Sequence, residues 1–239
     1  MNLSETDYSR LYLLQDKFLS WFHTLDYPFY LTGGTALGRF YLNHRFSEDL
    51  DFFVNNEPDY SRYVGEIKNK IFHHFSINID QSLFTEDYTR FFITEGDLSL
   101  KVELINDVPY YAGIPRNYRY GTVDNPLNIL ANKLTSVVGR DEPKDMFDII
   151  HIASRYAFNW QDVFHHAKQK VVINELDVEQ RMISFPVEWF QNVNWLLTLP
   201  DPGSLALSVQ QIADDFLLGR ANSLGEGKTP VEQALPAPF

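Results

Sequence analysis

The spacing of apolar residues changes midway along this chain, and the change constrains the fold more than any other sequence feature. Up to about residue 105, several short apolar runs have the period-two alternation of β-strands, as between Leu98 and Ile105. From Leu127 to Leu218, apolar residues recur every three or four positions, which is typical of helices. We therefore predict an α+β fold, in which a small mixed β-sheet with flanking helices is followed by a helical C-terminal subdomain.

The predicted elements divide the chain into three parts. Residues 1–115 form the α+β core, residues 116–219 the helical subdomain, and residues 220–239 a flexible tail rich in Gly, Pro and small polar residues. A loop is predicted at about 109–126. Strands are predicted at about 29–31, 49–54, 89–93 and 98–105. Helices are predicted at about 4–26, 35–42, 60–75, 127–138, 143–156, 160–171, 177–185, 186–197 and 204–218.

Composition excludes several classes of protein. The formal net charge of −12 argues against broad nonspecific binding of nucleic acid, although a local basic groove is compatible with it. The chain has no Cys, so disulfides, thiolate metal sites and Cys nucleophiles are excluded. No apolar stretch reaches the roughly 18 residues that a membrane span needs, and the polar start lacks the pattern of a secretory signal. We expect a cytoplasmic protein with no membrane partner.

Two carboxylates, Asp49 and Asp51, mark the first candidate site. They are two positions apart on a predicted strand, so both side chains leave the same face of the sheet. Like charges this close repel each other, and a natural use of the pair is to share a hard cation such as Mg²⁺ through oxygen ligands. By itself, however, this spacing is more often a solvated strand edge.

A glycine turn and a third carboxylate make the metal-binding interpretation more specific. The segment from Thr32 to Thr35 places Gly33 and Gly34 between a strand and a helix, where backbone N–H groups can approach a phosphate closely. Lys101 and Glu103 share one face of a later strand, which alone would indicate an ion-paired edge. Beside the two aspartates, Glu103 supplies the third carboxylate that two-metal phosphoryl transfer requires.

The loop before the aspartates contains further candidates for binding nucleotide. Arg45 can clamp a phosphate bidentately, or it can cap a turn or pair with Glu48. Ser47 either stabilises a turn or helps to orient Asp49. His44 and the other histidines have no spacing typical of metal ligands, so we assign them packing or solvated roles.

The predicted helices after residue 126 contribute basic candidates as well. Lys133 follows apolar residues in an otherwise apolar helix, which favours a cation that reaches into the cleft. Lys144 and Asp148 have the i,i+4 spacing of a helix-surface ion pair, and that interpretation stays open beside a functional one. We include Lys101, Lys144 and Asp145 among the candidate nucleotide-binding residues.

Together these motifs resemble the signature of the AbiEii/AbiGii-type toxins, within the polymerase-β-like nucleotidyltransferase superfamily. The resemblance is carried by residues 33–37, 45–52 and 101–103, and by a helical motif at residues 132–148. It implies Mg²⁺, in a two-metal site, and a nucleoside triphosphate (NTP) as substrate. Residue by residue, it implies metal binding by Asp49, Asp51 and Glu103, and triphosphate binding by Gly33, Gly34, Thr35 and Lys133.

The working hypothesis is a nucleotidyltransferase that moves a nucleoside monophosphate from an NTP to an acceptor hydroxyl. The resemblance implies a toxin of a toxin–antitoxin or abortive-infection system, with RNA, such as a tRNA end, as acceptor and a cognate antitoxin as partner. Two alternatives stay open. One is a catalytically inactive nucleotide-binding partner protein, and the other is an Asp-x-Asp glycosyltransferase, which would need a donor-binding half before Asp49.

Overall fold

A mixed β-sheet forms the centre of the molecule, as the sequence predicts. The computed structural model describes residues 3–237. The strands of this part are β1 (Tyr30–Thr32), β2 (Leu50–Asn55), β3 (Ser76–Phe84), β4 (Tyr88–Glu95), β5 (Leu98–Asp107), β6 (Arg116–Tyr118), β7 (Gly121–Val123), β8 (Tyr156–Ala157) and β9 (Thr229–Pro230). Seven of them form one sheet in the order β3-β4-β5-β2-β1-β7-β6. Pairing is parallel between β2 and β5 and between β1 and β7, and antiparallel elsewhere in this sheet.

Helices flank the sheet and make up most of the chain after residue 125. They are α1 (Glu5–His23), α2 (Gly33–Leu37), α3 (Tyr60–Ile71), α4 (Pro126–Gly139), α5 (Pro143–Arg155), α6 (Trp160–Lys170), α7 (Glu175–Ile183) and α8 (Pro202–Leu217). A π-helical turn, Gly38–Leu42, continues α2. Local sequence explains where α1 and α4 begin, because Ser4 forms a capping box with Asp7, and the Asn125 side chain caps α4 just before Pro126. The α+β fold class is confirmed.

The two faces of the sheet differ in character. Leu50, Phe52 and Val54 of β2 are buried on the face covered by α1 and α3, where the Phe18 and Phe52 rings lie 6.0 Å apart. The intervening residues of β2, Asp51 among them, face the opposite side, toward α4. Period-two alternation therefore separates the apolar core from the candidate site.

Three strands of the central sheet are absent from the sequence prediction, as are the two-residue strands β8 and β9. Strand β3 lies at one edge of the sheet and most of its residues are exposed, so it lacks the alternation that identifies a half-buried strand. Strands β6 and β7 are each three residues long and form a hairpin inside the segment predicted to be a loop. They belong to the central sheet although they lie beyond residue 115.

The predicted helix at 186–197 is wrong, because only a short 3₁₀ helix, Val187–Asn192, is present there. The backbone beyond it bonds to other elements. The Trp195 carbonyl accepts a 2.8 Å hydrogen bond from the Phe46 amide, and the Asn194 side chain donates to the Leu3 carbonyl. These bonds fix an extended path that a continued helix could not follow.

The segment after Gly219 is packed against the helices, in contrast to the flexible tail that its composition predicts. Strand β9 pairs with β8, and Val231 is fully buried. The Asn222 side chain donates to the carbonyls of Ala153 and Tyr156. Sequence composition does not reveal these specific contacts. Among residues 3–237, no helix is long and apolar enough to cross a membrane.

Candidate active site

Three acidic side chains predicted to be catalytic share one face of the sheet. Strands β2 and β5 run parallel, and their register places Asp51 directly beside Glu103. Asp49 lies just before β2, and Lys101 links it to Glu103: the Lys101 Nζ is 2.9 Å from Asp49 Oδ2 and 3.3 Å from Glu103 Oε2. The structure therefore brings together all four of these sequence candidates around one ammonium group.

The environment of Asp51 disfavours its charged form. Burial, followed by the nearby charges of Asp49 and Glu103, raises the pKa of Asp51 to about 7. Burial also raises the pKa of Asp49, although Lys101 opposes it. For Glu103, burial acts in the same direction, but a hydrogen bond from the Tyr88 hydroxyl and the charge of Lys101 together lower its pKa. The site thus holds more negative charge than Lys101 alone neutralises.

The donor set fits a hard divalent cation in its chemistry, since it consists of carboxylate oxygens on one face of a rigid sheet. A ready-made cluster is not formed, however: among residues 3–237, no group of three or more acidic or imidazole side chains is arranged to hold a metal ion. The ammonium group of Lys101 lies between Asp49 and Glu103, in the position that a metal ion bound by both carboxylates would occupy. These two carboxylates can converge on a metal only after Lys101 moves.

The glycine turn lies directly against the acidic cluster. Gly33 has φ +69°, in the left-handed region, and a Cβ atom at this position would lie 2.6 Å from Asp51 Oδ2. A Cβ atom at Gly34 would overlap the Arg45 guanidinium. Both glycines are therefore required by space, and Gly33 is required by its backbone conformation as well. Their backbone lines the same cleft as Asp51 and Glu103.

Two of the predicted nucleotide-binding residues, Thr35 and Ser47, form hydrogen bonds within the protein. Thr35 is fully buried, and its hydroxyl donates to the backbone carbonyl of Asp49. Ser47 is also buried, and its backbone N–H donates to the Tyr12 hydroxyl at 3.2 Å. Thr35 thus fixes the backbone that carries Asp49, a contact that the expected phosphate-binding role does not include.

Arg45 and Lys133 meet at a buried carboxylate that the sequence prediction treated as a surface group. Asp148 on α5 is fully buried and accepts hydrogen bonds from Arg45 Nε at 2.6 Å and Arg45 Nη2 at 2.7 Å. Lys133 Nζ lies 2.8 Å from Asp148 Oδ2, and His44 Nε2 lies 2.8 Å from Asp148 Oδ1. Burial would raise the pKa of Asp148, but the charges of Arg45 and Lys133 hold it well below its ordinary value.

Asp145 extends this buried cluster toward the cleft. It accepts a 2.6 Å hydrogen bond from Lys133 and two from Arg140, at 2.7 and 3.0 Å. Lys144 points elsewhere: its Nζ lies 3.5 Å from Glu48 Oε1 and forms no ion pair with Asp148 in the described chain. The predicted i,i+4 pair is therefore wrong, because Asp148 is turned inward to the buried cations. Arg45 likewise pairs with Asp148 rather than with Glu48.

A cleft of about 200 Å³ joins these groups. The sheet supplies its floor and α4 one wall. It is lined by Thr32, Gly33, Gly34, Asp51, Phe53, Glu103, Ile105, Ile129, Asn132, Lys133, Ser136 and Arg140. Glycine backbone, two cations, an amide and two hydroxyls thus line the same cleft as two carboxylates.

Sequence reasoning missed several residues of the site. Tyr88 donates to Glu103, and its signal was its place on β4, at period two with Arg90, which lies beside Glu103. Asp124 is fully buried and accepts from Thr32, Tyr111 and Asn128. Asp124 lies in a Pro- and Tyr-rich segment without periodicity, so no pattern pointed to it.

Comparison with known proteins gives consistent results. A family model described as "Nucleotidyl transferase AbiEii toxin, Type IV TA system" matches residues 18–192. JHP933 from Helicobacter pylori is similar in structure, with a TM-score of 0.60 and 22% identity over 91% of this chain and 94% of that one. MenT4, a nucleotidyltransferase toxin from Mycobacterium tuberculosis H37Rv, has a TM-score of 0.52 and 16% identity over 95% and 86%. At these identities the two structures show a shared fold. No curated protein matches the chain significantly.

Proposed function

The chain belongs to the AbiEii nucleotidyltransferase toxin family, and we propose that it transfers a nucleoside monophosphate from an NTP to an acceptor hydroxyl. The observation that carries the proposal is the adjacency of Asp51 and Glu103 on neighbouring strands, at the floor of a cleft lined by Gly33 and Gly34. In the transfer, the acceptor oxygen bonds to the α-phosphorus, the bond from that phosphorus to its β-bridging oxygen breaks, and pyrophosphate leaves. The acceptor proton passes to a carboxylate or to water.

The triphosphate binds in the 200 Å³ cleft. The backbone of Gly33 and Gly34 lines this cleft, and the absence of side chains there leaves room for Asp51 and Arg45 beside the turn. Lys133 and Arg140 offset the negative charge of the phosphates from the α4 side, although both are already paired with Asp145. Lys133 and Arg140 therefore stay ion-paired with Asp145 and present fixed positive groups to the phosphates. These groups stabilise the negative charge that develops on the phosphates during the transfer.

Asp49, Asp51 and Glu103 would hold the divalent cations, which we propose to be Mg²⁺ in a two-metal site. When bound, these ions neutralise the phosphates and make the acceptor hydroxyl easier to deprotonate. The raised pKa of Asp51 supports this assignment, because the carboxylate cluster lacks full compensation from the protein. Without metal, Lys101 neutralises part of the negative charge of Asp49 and Glu103. When these carboxylates converge on the metal ions, Lys101 is released and can bind the triphosphate.

We further propose that the acceptor is RNA, such as a tRNA end, that a cognate antitoxin restrains the activity, and that the protein acts in the cytoplasm, where NTPs are available. The glycosyltransferase alternative has little structural support. Between residue 3 and Asp49 the chain forms α1, β1, α2 and a π-helical turn, and these elements do not make up a separate donor-binding half.

The direct test is label transfer. The protein is incubated with Mg²⁺, with each α-labelled NTP in turn, and with total RNA or total cell protein. We expect one RNA pool to acquire label, EDTA to abolish the transfer, and Asp51→Asn to lose it while remaining folded. Asp59→Asn, on an exposed side chain paired with Arg62, is the matched control and should transfer at the wild-type rate.

Label transfer by Asp51→Asn at the wild-type rate would refute the catalytic assignment. A folded wild-type protein that binds NTP and labels no acceptor would support the inactive alternative.

A further inference from the structure

A second cleft borders the acidic cluster and shares no lining residue with the nucleotide cleft. It has a volume of about 220 Å³ and is lined by Leu3, Leu11, Glu48, Asp49, Phe92, Asp97, Leu98, Ser99 and Lys101. The nucleotide cleft contains Asp51 and Glu103, whereas this one contains Asp49 and Lys101. A transfer reaction requires two substrates to meet at one set of catalytic groups, and two clefts that meet at these carboxylates provide for that.

Strand β4 carries a stripe of side chains beside this second cleft. Its register places Arg90 opposite Glu103 and Phe92 opposite Lys101, so both side chains share the face of the acidic cluster. Each is half-buried, and Phe92 also lines the second cleft. The Arg90 guanidinium lies 5.7 Å from the centre of the Phe92 ring. A cation and an aromatic ring therefore lie side by side on the strand next to Glu103 and Lys101.

Arg90 differs from the other cations of the site because it has no counter-ion among residues 3–237. Its Nε is buried and lacks a hydrogen-bond partner within that described part of the chain. The neighbouring Glu103 does not pair with it, since one carboxylate oxygen accepts from Tyr88 and the other lies 3.3 Å from Lys101. An unpaired guanidinium that is half removed from water is a strong site for an anion, especially a phosphate.

The negative groups of the second cleft, in contrast, are already compensated. Lys101 pairs with Asp49, Arg10 with Asp97, and Lys144 lies 3.5 Å from Glu48. Each of the three carboxylates that line this cleft therefore has a cation nearby in the described part of the chain. Arg90, on the strand beside this cleft, is a cation without a counter-ion in the described chain, and Phe92 with three leucines supplies an apolar surface. This combination suits a nucleobase next to its phosphate.

We propose that Arg90 and Phe92 bind the acceptor, and that the acceptor is a single-stranded nucleic acid end. A terminal base stacks on Phe92 within the second cleft, Arg90 binds a backbone phosphate, and the terminal hydroxyl then faces Asp49, Asp51 and Glu103. This assignment rests on the proposed transfer function. It adds the residues that recognise the acceptor and a reason for a nucleic acid rather than a protein.

The test measures binding of the acceptor separately from transfer. A fluorescent single-stranded RNA with a free 3′ hydroxyl is titrated with the wild-type protein, Arg90→Gln and Phe92→Leu, and the anisotropy is recorded at several salt concentrations. Arg62→Gln and Phe84→Leu are matched controls, because Arg62 also lies over an aromatic ring and Phe84 is an aromatic residue on the opposite face of the neighbouring strand. Transfer kinetics with varied NTP and varied RNA follow for each variant.

We expect Arg90→Gln and Phe92→Leu each to weaken RNA binding about tenfold, the scale of losing one stacked base or one phosphate contact. Arg90→Gln should also reduce the slope of log Kd against log salt by about 0.7, as loss of one single-strand phosphate contact requires. The KM for NTP should stay unchanged in both variants while the KM for RNA rises, and both controls should bind as the wild type does.

Equal RNA binding by Arg90→Gln and Arg62→Gln would overturn the proposal, as would label transfer to protein in place of RNA. If RNA binding depended on Arg90 and Phe92 while no acceptor acquired label under any condition, the acceptor site would be confirmed and the proposed transfer function would be refuted. The acceptor site and the reaction are thus tested by separate measurements.

Discussion

Replacing Asp148 by Asn should destabilise the protein strongly. Asn keeps the size of the side chain but removes the charge that compensates Arg45 and Lys133, and the Arg45 and Asp148 side chains are 2% and 0% exposed. Two hydrogen bonds from Arg45, at 2.6 and 2.7 Å, and a 2.8 Å contact with Lys133 would lose their anionic partner. Breaking a buried ion pair on one side costs about 3–5 kcal/mol, which is a large part of a typical total stability of about 5–15 kcal/mol.

Urea denaturation followed by circular dichroism measures this loss. The midpoint should fall for Asp148→Asn and remain near the wild-type value for Asp214→Asn, a control on the exposed surface of α8. In Asp148→Asn/Arg45→Met, the loss should be smaller than the sum of the two single variants, because the second change removes an unpaired buried cation. A loss below about 1 kcal/mol for Asp148→Asn would refute the reasoning, since it would mean that the buried cations are stable without this carboxylate.

The same carboxylate makes the stability depend on pH in a definite direction. The folded-state pKa of Asp148 lies well below its unfolded-state value. Its contribution is therefore fully present above the unfolded pKa of about 3.9 and is lost as the pH falls toward and through the folded pKa. The wild-type protein should lose stability more steeply below about pH 4 than Asp148→Asn does.

Two further predictions concern the glycine turn and the residue that follows it. Gly33→Ala should lower stability by about 1–2 kcal/mol and impair transfer, because the new Cβ meets the Asp51 carboxylate in a left-handed conformation; thermal denaturation and label transfer measure the two effects, and Gly65→Ala, in open space on α3, is the control that should not impair either. Thr35→Val should lower stability by about 1 kcal/mol and reduce kcat, since the carbonyl of Asp49 loses its donor. A Thr35→Val variant of unchanged stability and raised KM for NTP would show that the hydroxyl binds phosphate instead.

The acidic cluster could be predicted from the sequence because strands have a fixed side-chain period. Asp49 and Asp51, two apart, had to leave one face of their strand, and the same holds for Lys101 and Glu103. The structure adds the register, which places Asp51 beside Glu103. Register depends on how two segments pair across about fifty residues, which no local pattern records.

The roles of the basic residues were harder to predict because their partners are distant in sequence. Arg45 could be identified as a cation near the site, but its partner Asp148 is 103 positions away. The i,i+4 spacing of Lys144 and Asp148 indicated a surface pair, whereas Asp148 faces the buried side of α5. Helical spacing shows which residues are neighbours on one helix, but it does not show which of them will pair with a residue of a distant segment.

The position of Asp148 also bears on how the chain is divided. This residue lies on α5, in the predicted helical subdomain, yet it fixes Arg45, whose guanidinium fills the space against Gly34. Lys133, from α4, completes the same buried cluster. The wall and the floor of the proposed nucleotide cleft are therefore held together by charges that neither half can compensate alone. The domain boundary near residue 115 stays a prediction. It would separate β6 and β7 from the rest of the sheet, and Lys133 and Arg140 from the other residues that line the cleft. For this reason the proposed catalytic unit must include both halves of the chain.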